Sequence, residues 1–129
     1  MQYLKLESIK SKHPRLSKLI DELAAYIEGE LDQGRSRVVP SLAARQLKLS
    51  EAETLGLLAM FEDAGLVSAR YEVVCKKNNV VLATAHKRSE LKDLLPIHCE
   101  FCEAEHEADD VSVELVFEIV PQAARDAVA

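Results

Sequence analysis

The amino-acid sequence predicts an α+β fold, helical in its first half and stranded in its second. Three observations predict it. Between Pro14 and Ala64 the apolar residues recur at helical spacing, with a cap or a stop at the segment ends. From Arg70 onward, runs rich in Val, Ile and Leu are separated by short polar turns. The chain has 129 residues, 48% of them hydrophobic, which is enough to bury one real core.

Residues 1–12 are mixed and basic with weak periodicity, and read as a short arm. Pro14 suits the first turn of a helix, where a missing N–H costs nothing. Leu16, Leu19, Ile20, Leu23, Ala24, Ile27 and Leu31 then form one apolar stripe, Lys18 and Glu22 can pair across a turn, and Gly34 stops the helix. Arg37 to Pro40 is a very short extended segment. Ser41 reads as the cap of a second helix over 42–48, with Leu42 and Leu47 inward. Ser50 caps a third, with Glu53 at capping-box spacing and Gly65 as the stop after Ala64.

Arg70 to Cys75 is a strand, Asn78-Asn79 a turn, and Val80 to Thr84 the returning strand. A short helix over Ser89–Leu95 ends at Pro96, and Asp109-Asp110 marks another turn. Val111, Val113, Leu115, Phe117 and Ile119 alternate with Ser112, Glu114, Val116 and Glu118, the period of a half-buried strand. Residues 121–129 read as a frayed or helical tail.

Leu42-Ala43, Leu47-x-Leu49-Ser50, then Leu55, Leu58 and Phe61, then Gly65-Leu66-Val67 resemble the helix-turn-helix core of the winged-helix superfamily. The two following strands match the position of the wing, so the resemblance covers residues 14–86. It implies a winged-helix domain with an N-terminal arm over 1–86, and a linker helix with a small β-lobe over 87–129. Members of that superfamily bind DNA or act as protein-interaction modules, so the likeness speaks to fold more than to function.

Charge separates the two. Residues 1–50 carry nine Lys/Arg against six Asp/Glu, and residues 51–129 carry seven against sixteen. The third helix holds no Lys or Arg, while Glu51, Glu53, Glu62 and Asp63 give it four negative charges. A helix of that kind set in a DNA groove would place carboxylates against phosphates. With Leu55, Leu58 and Phe61 inward, Glu51, Glu53, Leu57 and Met60 form an outward face suited to a protein partner; the alternative is that Leu57 and Met60 pack under the wing or the arm. The reading is a non-enzymatic adaptor module of a larger bacterial assembly, binding a protein partner or a second copy of itself through the first helix. The competing reading is a transcription regulator whose wing touches the DNA backbone through Lys76, Lys77, Lys87 and Arg88.

Cys99-x2-Cys102-x3-His106 has the spacing of a metal knuckle, since two thiolates three residues apart converge on one point. A structural zinc takes four ligands. Cys75, at a strand end before a hairpin, is the expected fourth, with His98 and His86 as alternatives. Residues 75–119 then resemble a zinc ribbon in which Asn78 stands where a second cysteine is expected. A metal-free relic and buried free thiols are the rival explanations. Redox chemistry fits poorly, because Glu100, Glu103, Glu105 and Glu107 crowd the thiols and should raise their pKa values.

No G-x-S-x-G elbow, phosphate loop, dinucleotide fingerprint or H-E-x-x-H occurs in the sequence, and four glycines are too few for a glycine-rich cradle. Glu107 could serve as a base only if the metal were catalytic. No apolar run nears the ~20 residues of a membrane span, and the N-terminus lacks a signal-peptide core, so the chain reads as cytoplasmic with no small-molecule substrate.

Overall fold

Helices form in the first half where the apolar spacing demands them, and strands follow. The computed structural model describes residues 3–120 and is mixed α and β throughout that range. The chain divides into two compact units: residues up to Ser68 with the strand end from Phe117 onward, and Ala69–Val116. The boundary expected at 86/87 therefore falls inside the second unit. The expected tail over 121–129 lies outside the described residues.

The first unit opens with a helix, α1 (Tyr3–Lys12), where an arm was expected. Its periodicity is weak because Ile9 is its one buried apolar anchor among the described side chains, while Leu4 is 78% exposed. Lys10 reinforces the docking by pairing with Glu7 at 2.8 Å and with Asp21 of the next helix at 3.0 Å. These carboxylates raise its pKa. Pro14 starts a 3₁₀ turn to Leu16, which leads into α2 (Ser17–Asp32).

Ile20, Leu23, Ala24 and Ile27 of α2 are buried at the spacing of one helical stripe. Gly34, at φ 77°, ends the helix as expected. Its N–H donates to Leu31 O at 2.9 Å and the Arg35 N–H to Glu30 O at 2.9 Å, the paired bonds of a Schellman stop.

After β1 (Arg37–Val38) comes α3 (Pro40–Leu47), and its start corrects the sequence reading. Val39 is the cap and Pro40 the first helical residue, so Ser41 lies inside the first turn. Starting at residue 40 puts Pro40, Ala43 and Ala44 in the buried stripe, with Leu47 half-buried. Leu42 falls off it and is 50% exposed rather than inward. The chain turns through Lys48, at φ 60°.

The helix expected after Ser50 is α4 (Glu51–Asp63), with its capping box intact. The Glu53 N–H donates to Ser50 Oγ at 3.0 Å, and the Ser50 N–H donates to Glu53 Oε1 at 3.0 Å. That second bond holds the Glu53 carboxyl below the usual carboxylate range. Gly65, at φ 77°, closes the helix with a second Schellman pair: its N–H reaches Glu62 O, and the Leu66 N–H reaches Phe61 O.

The buried stripe of α4 is Thr54, Leu57, Leu58 and Phe61, spaced i, i+3, i+4, i+7. Leu57 is thus core, 3% exposed, and not part of an outward face. Leu55, expected inward, is half-buried, as is Met60, which lines a cavity of about 230 Å³ with Lys5, Ile9 and Asp63. The outward side of α4 carries Glu51, Ala52, Glu53, Gly56, Ala59, Glu62 and Asp63.

Nine-residue strands β2 (Val67–Cys75) and β6 (Val111–Ile119) run on from one unit to the other. In the first unit β1 pairs with the end of β6, Arg37 opposite Glu118 and Val38 opposite Phe117. In the second unit β6, β2 and β3 (Val81–Ala85) lie in that order, and β2 and β3 form an antiparallel hairpin with a bulge at Val73/Val74. Between β3 and β6 come a 3₁₀ segment (Arg88–Leu94) where a short α-helix was expected, then the hairpin of β4 (Ile97–Cys99) and β5 (Ala104–His106). Strict alternation fails along β6: Val113 is exposed, and Val116 and Phe117 are buried consecutively. The packing environment changes at that step, where the strand leaves the second unit for the first. Among the described residues no helix is long and apolar enough to cross a membrane.

The helix phases give a direct test. Leu57→Ala should destabilise the protein by about 3 kcal/mol, because it empties a core position. Leu42→Ala should stay within about 0.5 kcal/mol of the parent. Chemical denaturation of both variants measures this, and the reverse order would show the stripes to be misplaced.

Candidate metal centre

Three separate stretches of the second unit bring side chains to one point. The first is the end of β2. Cys75 is the last residue of that strand, and the chain folds back at once: the Asn79 N–H donates to Cys75 O at 2.8 Å and the Cys75 N–H to Val80 O at 2.9 Å. Asn79 takes φ 56°, the left-handed geometry that asparagine tolerates, which confirms the turn read at Asn78-Asn79. Lys76 fastens this turn to the approach to β6, its backbone N–H reaching Asp110 O at 3.2 Å and its Nζ reaching Asp109 O at 2.9 Å.

The other two stretches face each other on the β4–β5 hairpin. Cys99 pairs with Ala104, and Ile97 with His106. Side chains alternate along a strand, so Cys99 and His106 lie on the same face of this ribbon, with Cys102 in the turn between the strands. His98 pairs with Glu105 and points the other way; its Nδ1 lies 3.3 Å from the Glu105 carboxylate, and the ring is exposed.

Cys75, Cys99, Cys102 and His106 form the cluster, their ligand atoms all within 4.8 Å of one another. Cys75, Cys99 and His106 are buried, and Cys102 is half-buried. The alternatives His86 and His98 are not in the group, and neither is Glu107, which is exposed. Cys75 Sγ lies 3.8 Å from Cys102 Sγ and 3.5 Å from His106 Nε2. A tetrahedral ion bonded to sulfur at about 2.3 Å and to nitrogen at about 2.0 Å gives edges of about 3.8 and 3.5 Å. These two edges match those of a four-coordinate tetrahedral metal. An ion held by all four donors would have no corner of its tetrahedron left for a substrate.

The thiols are not uniformly shifted upward, as the surrounding glutamates had suggested. Cys75 is lowered to about 6, foremost because the Asn78 backbone N–H points at its sulfur, with further help from His106 and the Lys77 N–H. Cys102 is raised to about 11, by burial first and then by the neighbouring Cys75 and Cys99.

Asn78 gains a role that sequence reading did not assign. Its side-chain amide donates to Cys102 Sγ at 3.1 Å and approaches Cys75 Sγ at 3.8 Å. The available signal was its spacing, three residues after Cys75, which mirrors the Cys99–Cys102 spacing. Of the residues proposed for DNA contact, Lys77, Lys87 and Arg88 are exposed, while Lys76 is engaged in the turn.

No protein-family model matches the chain, and no curated protein or solved structure matches it either.

The thiol shifts predict how the metal-free protein responds to pH. Cys75 has a folded pKa below its unfolded value, so its contribution is complete above about 9 and is lost as pH falls through about 6. Cys102 is shifted the other way, so its contribution is complete below about 9 and is lost as pH rises through about 11. Stability of the second unit without metal should therefore peak near pH 9. Denaturation of chelator-treated protein across that range tests it, and a monotonic fall from pH 6 upward would contradict it.

Proposed function

We propose that the chain is a non-enzymatic protein-interaction module whose second unit is held together by one structural zinc ion. The convergence of three thiols and one imidazole within 4.8 Å carries the zinc reading. Three thiolates and an imidazole form a soft donor set that suits zinc, and a closed four-ligand shell is the form of structural sites rather than catalytic ones. The second unit also has reason to need a staple. Its fully or nearly buried apolar residues are few and mostly small: Val73, Val74, Ala85, Val111 and Val116, with Cys75 and Cys99 themselves.

The interaction reading rests on α4. Two helices joined by the Lys48–Ser50 turn, followed by the β2–β3 hairpin, support a winged-helix reading of this stretch. The helix in the recognition position exposes Glu51, Glu53, Glu62 and Asp63 and no cation. This surface disfavours a phosphate backbone and complements a basic protein surface. With Leu57 in the core and Met60 half-buried, recognition would be led by charge at Glu51 and its neighbours. The exposed Lys77, Lys87 and Arg88 favour the competing reading, backbone contact with DNA through the hairpin.

Two experiments test these readings. Elemental analysis should find one zinc per chain, and Cys99→Ser or exhaustive chelation should remove it and lower the denaturation midpoint of the second unit; a protein equally stable with and without chelator would refute the staple. Titration with duplex DNA at low salt should show no binding that weakens as salt rises. Salt-sensitive binding abolished by K77A/K87A/R88A would instead establish the DNA reading.

A further inference from the structure

We infer that Asn78 is a positioning residue for the metal, its side-chain amide donating to the Cys102 and Cys75 sulfurs and so fixing both at the corners the ion requires. The inference rests on the structural-zinc reading of the cluster and assigns a role within it. A thiolate accepts hydrogen bonds and donates none, so the group that faces it must bring N–H. The Asn78 amide does so at 3.1 Å from Cys102 and at 3.8 Å from Cys75. It straddles the same two sulfurs that lie 3.8 Å apart on one edge of the cluster.

Electrostatics gives this donor its importance. Three thiolates and a neutral imidazole around a divalent ion leave one surplus negative charge. Glu100, Glu103 and Glu105, exposed along the same hairpin, add to it. Of the two sulfurs Cys102 is the nearer to the Asn78 amide, at 3.1 Å against 3.8 Å for Cys75.

The local fold explains why this position carries a donor. Cys75-x2-Asn78 repeats the spacing of Cys99-x2-Cys102, so a residue at 78 is delivered to the sulfurs by the turn. His106 already supplies the fourth ligand atom, which frees position 78 from ligation. The Asn79 N–H bond to Cys75 O fixes the turn that presents it.

The experiment compares the full chain with Asn78→Ala and Asn78→Asp. Zinc affinity is measured by competition with a chromophoric chelator, and the ligand set by the visible spectrum of the cobalt(II)-loaded protein. Asn78→Ala should weaken zinc binding about tenfold, the scale of a lost outer-shell partner. Asn78→Asp, nearly the same shape but without donors and with an added negative charge, should weaken it further. The cobalt spectrum should keep its three-sulfur, one-nitrogen character in all three proteins. A packing role alone would leave Asp close to the parent and would not order the variants this way. An Ala variant that binds zinc as tightly as the parent, or an Asp variant that binds as tightly or more so, overturns the inference and leaves the zinc reading standing. A parent protein that takes up no metal overturns both.

Discussion

Four ligand atoms from three stretches of chain must meet within 4.8 Å, and the architecture of the second unit follows from that convergence. It requires β2 to stop at Cys75, the chain to reverse within four residues, and the β4–β5 hairpin to be in a register that sets Cys99 and His106 on one face. A one-residue slip of that hairpin would carry one of them to the opposite face and dismantle the site. Within this cluster the Asn78 backbone N–H lowers the Cys75 thiol, whereas burial foremost raises Cys102.

The first unit depends on more ordinary means. Ile20, Leu23 and Ile27 from α2 and Leu57, Leu58 and Phe61 from α4 bury large apolar side chains, and small Ala43 and Ala44 on α3 permit close approach of the helices. Its ends are set by local hydrogen bonding, by the Ser50–Glu53 box and by left-handed Gly34 and Gly65. Among its described residues no group of metal donors comes together. On the structural-zinc reading the two units would draw stability from different sources, and loss of the cation should be felt mainly in the second.

Where side chain and backbone interact locally, the fold was legible in the sequence. The capping box, the two glycine stops, the asparagine turn and the Cys99-x2-Cys102-x3-His106 run each declare themselves within a few residues. Helix phase was harder. Ser41 is a good capping residue, yet Pro40 takes the first helical position, and that shift moves Leu42 outward. In α4 the leucines at 55, 57 and 58 allow two stripes; the one containing Thr54 prevails, with the Thr54 hydroxyl donating to Ser50 O at 3.0 Å. Among the described side chains of α1 Ile9 alone is buried, so no spacing argument could find the helix. The unit boundary was also hidden, because the return of β6 to pair with Arg37 and Val38 is a long-range contact with no local signature. At the cluster, three members came from spacing and the fourth from position before a hairpin, whereas the Asn78 donor bonds needed three dimensions to see.

The central claim is that these four side chains surround one zinc ion. X-ray absorption at the zinc edge of the purified protein tests it most directly. The account predicts a first shell of three sulfurs at about 2.3 Å and one nitrogen at about 2.0 Å. An absent zinc edge, or a shell dominated by oxygen and nitrogen, would contradict it.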